Sequence, residues 1–297
     1  MWNVAEDMAY KIINGDCTEE LKSKKIGEID LSFLDPPFNQ GKDYAEHDDN
    51  LPDEKYWGWM REVCSSIYAL TSPGGAIYFM QREKNAEKVL ATLRETGWTF
   101  QNLIIWKKKT SAIPSDFRFS KQHQIIVFAT KGEKPRVFNK LRIDPPIPPN
   151  YKYERTNGIC LPDVWDDIRE LTSGYFAGDE ALRKTNGDRA HTQQSPVALL
   201  LRIILASTIP GDTVLDPFAG SGTTLVVANQ LERESVGIEL DPENIKIIES
   251  RLKRLRSSDD VLQHYEYYRY SPNLKTIWPC GNLVITEQRR LVDARVC

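Results

Sequence analysis

The sequence predicts an α/β fold built on a mostly parallel sheet. Three observations support it. Short apolar runs alternate with amphipathic segments over much of the 297 residues, the signature of successive βαβ units. Two of those runs end abruptly in turn-forming motifs, Asp35-Pro36-Pro37 and Asp216-Pro217-Phe218-Ala219-Gly220, as strands do when they deliver residues to one rim of a sheet. Hydrophobic residues make up 40% of the chain against 27% charged, which suffices for one large core.

The elements follow in order. Tyr10–Asn14 reads as a short strand ending in Gly15-Asp16-Cys17, and Ile29–Leu34 as a buried strand stopped by Asp35-Pro36-Pro37. From Glu54 to Leu70 the spacing of Trp57, Met60, Val63, Cys64 and Ile67 places one apolar stripe on a helix. A turn at Ser72–Gly75 precedes a strand, Ala76–Met80, and a helix over Glu83–Thr96 is closed by Gly97. Two further strands span Trp98–Trp106 and His123–Thr130. After a break, a helix over Pro196–Ser207, a strand at Thr213–Asp216 and a helix from Thr223 restore the alternation, followed by a strand at Ser235–Leu240 and a helix from Pro242 to about Arg256.

The break runs from Lys131 to Ala190. It holds Pro145-Pro146 and Pro148-Pro149 and little periodicity, so it reads as an insertion outside the sheet. The domain plan is thus a body of residues 1–130 and 191–256, an insertion of 131–190 and an appendage of 257–297. The five cysteines are scattered and odd in number, without a CxxC pair, and the four histidines are equally dispersed. Reduced thiols and no metal site are expected. The most apolar stretch, Pro196–Ser207, is broken by Arg202 and is too short to span a membrane, and the first eleven residues carry Glu6 and Asp7 rather than a signal sequence. No membrane association and a cytoplasmic location are expected.

Charge is uneven. From Gln101 to Arg142 there are ten Lys or Arg against two acids, on a chain whose net charge is −3. Such a stretch can be a solvated face, but a basic belt on an acidic body also suits contact with phosphates. Lys107, Lys108 and Lys109 are its densest part.

Two constellations carry chemistry. The first is Thr213-Val-Leu-Asp216-Pro217-Phe218-Ala219-Gly220-Ser221-Gly222-Thr223-Thr224, a buried strand running into a glycine-rich turn that opens a helix. Glycines let the backbone approach a ligand. Glu239 lies 23 residues beyond Asp216, where an acid at the tip of the neighbouring strand can accept hydrogen bonds from ribose hydroxyls. The third glycine of a dinucleotide site is replaced by Leu225, and the lysine of a P-loop is missing, so the pair reads as a nucleoside site. A tight turn without a ligand is the plainer alternative, and the spacing of Glu239 counts against it.

The second constellation is Leu31-Ser-Phe-Leu34-Asp35-Pro36-Pro37-Phe38. A strand delivers a carboxylate, a rigid Pro-Pro and an aromatic ring. Prolines remove backbone donors and leave carbonyls as acceptors, so Asp35 and the Pro36 carbonyl can both accept from one NH₂ group, and Phe38 can stack on a planar ring. Pro-Pro also ends strands without further purpose, as at Asp144-Pro145-Pro146, which follows no strand.

Together these motifs resemble the DNA amino-methyltransferases, in the order of their permuted (beta) class, from about Tyr10 to Arg256. Gly15-Asp16-Cys17, Trp106-Lys107, the run from His123 to Lys131 and His191-Thr-Gln-Gln-Ser195-Pro196 add to the resemblance. It implies a Rossmann-like seven-stranded methyltransferase sheet, mostly parallel with one antiparallel hairpin strand, and a target-recognition role for the insertion. It implies S-adenosyl-L-methionine as cofactor. Asp16 with Cys17 would meet its adenine, Asp216 to Thr224 its methionine portion and Glu239 with Leu240 its ribose, with His191 and Ser195 beside it. The family usually shows Thr-Gln-Lys-Pro where this chain has Gln193-Gln194-Ser195-Pro196, which leaves open how that segment meets the cofactor.

The chemistry implied is direct methyl transfer to an exocyclic amine held by Asp35 and Pro36 on a base flipped from duplex DNA. Neither Cys17 nor Cys64 has the Pro-Cys setting of a ring-carbon methyltransferase. Adenine N6 is the expected target, because cytosine-N4 members of the family usually begin the catalytic motif with Ser. Cytosine N4 is the alternative, and an idle cofactor- or nucleic-acid-binding protein a third reading, opposed by the intact Asp35 and Phe38. A cognate restriction endonuclease and a homodimer are partners the resemblance allows.

Overall fold

A computed structural model of the chain describes residues 10–23, 26–41, 49–110, 116–144, 156–171, 178–183 and 194–279. In chain order the elements are β1 (Tyr10–Asn14), α1 (Cys17–Lys22), β2 (Ile29–Leu34), α2 (Asp53–Leu70), β3 (Thr71–Arg82), α3 (Ala86–Glu95), β4 (Thr99–Lys107) and β5 (His123–Thr130). Three two-residue strands follow, β6 (Arg142–Ile143), β7 (Ile159–Cys160) and β8 (Val164–Trp165). The chain continues with α4 (Val197–Ser207), β9 (Thr213–Asp216), α5 (Thr223–Gln230), β10 (Glu234–Glu239), α6 (Pro242–Lys253) and α7 (Leu274–Ile277).

The main sheet has the order β1-β10-β9-β2-β3-β5-β4-β8. All neighbours are parallel except those of β5, which runs antiparallel to β3 and β4. The seven expected strands are all present. In β2, β3 and β5 the apolar runs are nearly continuous because both faces are covered. Ile77 and Phe79 of β3 join the core under α2 and α3, whereas Tyr78 and Met80 join the core under α4 and α5. The expected turn at Ser72–Gly75 lies within β3, where the pairing skips from Ile29–Thr71 to Leu31–Ala76 and the strand bulges.

Two expectations about the remaining segments are corrected. The insertion was expected to stay outside the sheet, yet β8 pairs with β4 through Ile105–Val164 and Trp106–Trp165. It covers an edge that would otherwise expose unpaired backbone. Glu170 reinforces the contact by accepting from the backbone N–H groups of Lys109 (2.8 Å) and Thr110 (2.9 Å). The appendage is equally integral as far as Pro279. Val261, Tyr268, Leu274, Ile277 and Trp278 are buried in the α4 core. Residues 280–297 lie outside the described residues.

Arg202, the one charge in α4, is buried with them. Its guanidinium donates to Tyr268 Oη (3.0 Å) and to Asp167 Oδ1 (2.9 Å), joining the helix to the insertion and to the C-terminal segment. Removing Asp167 would strand a buried charge. No helix among the described residues is long and apolar enough to cross a membrane.

The burial of Trp278 at 0% exposure makes a first prediction. Trp278→Ala should destabilise the protein by about 3–5 kcal/mol, read from urea unfolding. A change below about 0.5 kcal/mol, as expected for an exposed surface site, would show that the C-terminal segment does not belong to the core.

Candidate active site

The parallel strands β1, β10, β9 and β2 all end on one rim, and a cleft opens there. It lies where the strand order reverses, with β9 and β10 leading one way and β2 and β3 the other, the place where ligands bind in such sheets. Gly15, Asp16 and Cys17 line it from β1, Asp35, Pro36 and Pro37 from β2, Asp216 to Ser221 with Thr223 and Thr224 from β9, and Glu239 to Asp241 from β10; Ser195 lies at its edge. The two constellations read from the sequence therefore face each other across one cleft.

The glycine turn is shaped by backbone conformation. Gly220 (φ 51°) and Gly222 (φ 77°) both occupy the left-handed region, which costs a residue with a Cβ about 1–2 kcal/mol. A Cβ on Gly222 would also lie 2.8 Å from Ile248 Cγ1. Beneath the turn, the buried Arg251 donates to the Ser221 carbonyl (2.6 Å) and to Thr223 Oγ1 (3.2 Å), while Asp259 accepts from Arg251 Nη2 (2.9 Å). The sequence gives no sign of this support, because Arg251 and Asp259 read as ordinary charges in a helix and a polar segment.

Asp216 is buried at the end of β9, accepting from the Phe218 backbone N–H (3.0 Å) and from the Thr224 hydroxyl. Burial outweighs these two donors and pushes its carboxyl up to about 7, with the nearby Glu239 adding to the rise. Glu239 is also raised by burial. It accepts from Gly220 N (2.7 Å), Asp241 N (2.9 Å) and Asn244 Nδ2 (3.2 Å). Two carboxylate oxygens offer about four lone pairs, so three donors fix the group and leave it able to accept once more. Asp16 caps α1, accepting from Thr18 N (2.8 Å) and Glu19 N (3.3 Å). Next to it Cys17 is buried, and burial together with Asp16 pushes its thiol up to about 12.

At the β2 side, Asp35 is half-buried and Oδ2 accepts from the Ser195 hydroxyl (3.0 Å). The Pro37 carbonyl accepts from Tyr56 Oη (2.8 Å), and Tyr56 Oη accepts from Gln81 Nε2 (2.9 Å). Asn39, in the left-handed region at φ 52°, exchanges hydrogen bonds with the Leu51 backbone (2.7 and 2.8 Å). The Pro-Pro segment is thereby held from below and beyond. Phe38 requires a correction: its ring is only 3% exposed and does not line the cleft. The aromatic rings that do are Phe33, Trp59 and Phe218, the last two packed edge-to-face at 5.6 Å. Trp59 is not among the stripe residues read from the sequence because it flanks the apolar stripe of α2, half-buried against the core; a tryptophan beside that stripe was the available signal.

Of the three lysines, Lys107 and Lys109 are exposed and Lys108 is half-buried. Lys107 lies at the end of β4. The Lys108 ammonium lies 5.3 Å from the centre of the Trp106 ring, and that of Lys109 donates to the Asp166 carbonyl. None of them lines the cleft. His191 lies outside the described residues. Among the described residues, Cys17, Cys64 and Cys160 are free thiols and no cluster of His, Cys, Asp or Glu is placed to hold a metal.

The model of a DNA methylase family, the N6/N4 methylases, matches residues 29–250, which takes in both motifs and the strands that carry them. The chain belongs to this family. It is 33% identical over 246 residues to the type II methyltransferase M.HpaI of Haemophilus parainfluenzae, covering 82% of this chain and 74% of that protein. It is 32% identical over 276 residues to the DNA adenine methyltransferase YhdJ of Escherichia coli K12, covering 86% and 85%. Among solved structures, the fold is shared with the cytosine-N4-specific PvuII DNA methyltransferase (TM-score 0.62, 21% identity, 90% of this chain and 95% of that one). It is shared too with a Thermus thermophilus DNA modification methylase complexed with S-adenosyl-L-methionine (TM-score 0.57, 22% identity, 82% and 93%).

This methylase is a transferase that uses S-adenosyl-L-methionine. The cleft fits that group: glycines leave room for close approach, and the carboxyls of Asp16, Asp216, Glu239 and Asp241 suit a ligand bearing two cationic centres and a ribose.

Two predictions follow from the turn. Gly222→Ala should cost about 2 kcal/mol or more, from the left-handed backbone and the contact with Ile248, measured by urea unfolding; an unchanged midpoint would mean the turn tolerates a Cβ. Asp216 carries the second. A folded-state value near 7, above the ordinary 3.8, means the native state holds a proton that the unfolded chain has lost. Stability should therefore fall as pH rises from about 4 to about 7. Asp216→Asn should remove that part of the slope, and an Asn variant with the wild-type pH profile of unfolding would refute the shift.

Proposed function

We propose that this methylase transfers the methyl group of S-adenosyl-L-methionine to N6 of adenine in double-stranded DNA, at a site read by residues 131–190. The observation that carries the chemistry is the placement of Asp35 and Pro36 on the same cleft as the Asp216–Thr224 turn and Glu239. The adenine reading is supported by Asp, rather than Ser, at the head of the catalytic motif and by the Escherichia coli relative that bears the name of an adenine methyltransferase.

In this reading Glu239, with Leu240 beside it, uses its remaining acceptor position for a ribose hydroxyl, Asp16 and Cys17 border the adenine of the cofactor, and the Asp216–Thr224 turn cradles its methionine portion. The bound cofactor supplies an activated methyl group. The chain's own task is to present a nucleophile. An exocyclic amine is weak because its lone pair is delocalised into the ring. Hydrogen bonds from the NH₂ to Asp35 and the Pro36 carbonyl favour a pyramidal nitrogen with its lone pair directed at the methyl group. Positioning and fixed acceptors then supply most of the rate. The base must leave the duplex to reach the cleft, and its faces would meet Trp59 or Phe218, with Phe38 joining only if its ring swings out.

Lys107 and other cations of the 101–142 stretch would meet phosphates. Lys109 contributes less, its ammonium being engaged by Asp166. A cognate endonuclease, in line with the type II name of the Haemophilus relative, a homodimer and a cytoplasmic location belong to the same proposal.

The test is nucleoside analysis by mass spectrometry of duplex DNA incubated with the enzyme and labelled cofactor. N6-methyladenine is expected, and a clean N4-methylcytosine product would overturn the adenine assignment. Asp35→Ala should lower turnover by at least about 100-fold while cofactor affinity, by calorimetry, stays within a few-fold. Near-normal turnover would remove Asp35 from the reaction.

A further inference from the structure

The hydroxyl of Ser195 donates to Asp35 Oδ2 at 3.0 Å from 160 residues away in the sequence. Resting on the reading of Asp35 as the acceptor of the substrate amine, we infer that Ser195 is a positioning residue that sets the rotation of the Asp35 carboxylate. We further infer that a clamp on Glu180 sets Ser195 in turn.

An aspartate's terminal torsion is broad and roughly two-fold. A carboxylate at the mouth of a cleft therefore samples orientations in which its oxygens do not face the amine. Tying Oδ2 to a fixed hydroxyl at 3.0 Å defines where Oδ1 points, and the benefit appears only if the donor itself is held.

Ser195 is held on both sides. Pro196 follows it as the N-cap of α4, with φ fixed near −66°, and α4 is buried along almost its whole length. Gln194, before it, is 6% exposed and makes two hydrogen bonds to one strip of the insertion: its Nε2 donates to the Glu180 carbonyl (3.0 Å) and its Oε1 accepts from Leu182 N (2.9 Å). The Glu180 carboxylate accepts from Val197 N at the start of α4, and the Glu180 carbonyl accepts also from Arg256 Nη2 (3.0 Å). Two side chains and a helix start thus converge on Glu180, and Ser195 lies between the points they fix. The strip 178–183 belongs to the segment proposed to read DNA, so the same contacts connect that segment to the reacting carboxylate.

The experiment compares Ser195→Ala, Ser195→Thr and Gln194→Ala with wild type, in the full-length enzyme on duplex DNA. Cofactor affinity is measured by calorimetry and the transfer rate in single turnover at saturating cofactor. Ser195→Ala should lower the rate by about ten- to a hundredfold, the size of one hydrogen bond to a charged group, with cofactor affinity unchanged. Ser195→Thr, which keeps the hydroxyl, should recover most of the loss. Gln194→Ala should lower the rate by a smaller factor, and combining it with Ser195→Ala should cost nothing further, since both act through one donor.

An unchanged rate in Ser195→Ala would overturn the positioning role. So would a loss confined to cofactor affinity, which would assign Ser195 to the cofactor, or a loss that threonine does not restore. Multiplicative effects in the double variant would overturn the clamp. Asp35→Ala separates this inference from the reading beneath it. If that variant is inactive while Ser195→Ala is normal, only the positioning role falls; if Asp35→Ala is itself active, the reading of Asp35 falls.

Discussion

The site depends on the parallel pairing of β2 with β9. Leu31 lies opposite Val214 and Ser32 opposite Leu215, joining the part of the chain that carries Asp35 to the part that carries the glycine turn. The strands are short, and their register is reinforced at the opposite end. Asp30 Oδ2 accepts from Thr213 N (3.0 Å), while Arg136 binds both Asp30 (3.0 Å) and Asp212 (2.6 Å). Since a slip of one residue would turn every side chain to the other face, this pairing decides whether Asp35 and Asp216 emerge on one rim at all.

Around that pairing the molecule spends its polar groups in a consistent way. Carboxyls are placed at the rim, and burial of Asp216 and Glu239 strengthens their interaction with a cationic or hydrogen-bonding ligand. Each is oriented by neighbours: Asp216 by Phe218 N and Thr224, Glu239 by Gly220, Asp241 and Asn244, Asp16 by the first turn of α1. The cost of burying these groups is visible in the upward shifts of Asp216 and Glu239. The cleft is acidic whereas the cationic surplus of residues 101–142 lies along another part of the chain, an arrangement matched to a positively charged cofactor and a polyanionic substrate.

Buried ionic contacts connect regions that look separate in sequence. Arg202 reaches Asp167 and Tyr268, and Arg251 reaches the glycine turn and Asp259. Through them the insertion and the C-terminal segment become walls of the core around α4. Such pairs add little net stability over apolar packing, but each permits few alternative arrangements.

The sequence by itself determined the seven strands and the longer helices of the body, the two motifs and the family, but not the short α1. β1, β2, β5 and β9 have the bounds that the sequence predicts; β2, β5 and β9 do so because a strand largely buried on both faces is mostly apolar and ends in residues that cannot continue it. Glycine and proline marked the site because few other residues tolerate the backbone found there. Tertiary structure alone decided the rest. Whether Phe38 faces the cleft or the interior, whether Lys109 finds the Asp166 carbonyl, and whether Trp165 and Trp278 close the core depend on contacts between residues far apart in the chain. The Ser195–Asp35 hydrogen bond is of the same kind. A hydroxyl before a proline carries no local signal of its partner, and only the packing of α4 against the sheet brings that donor to the carboxylate.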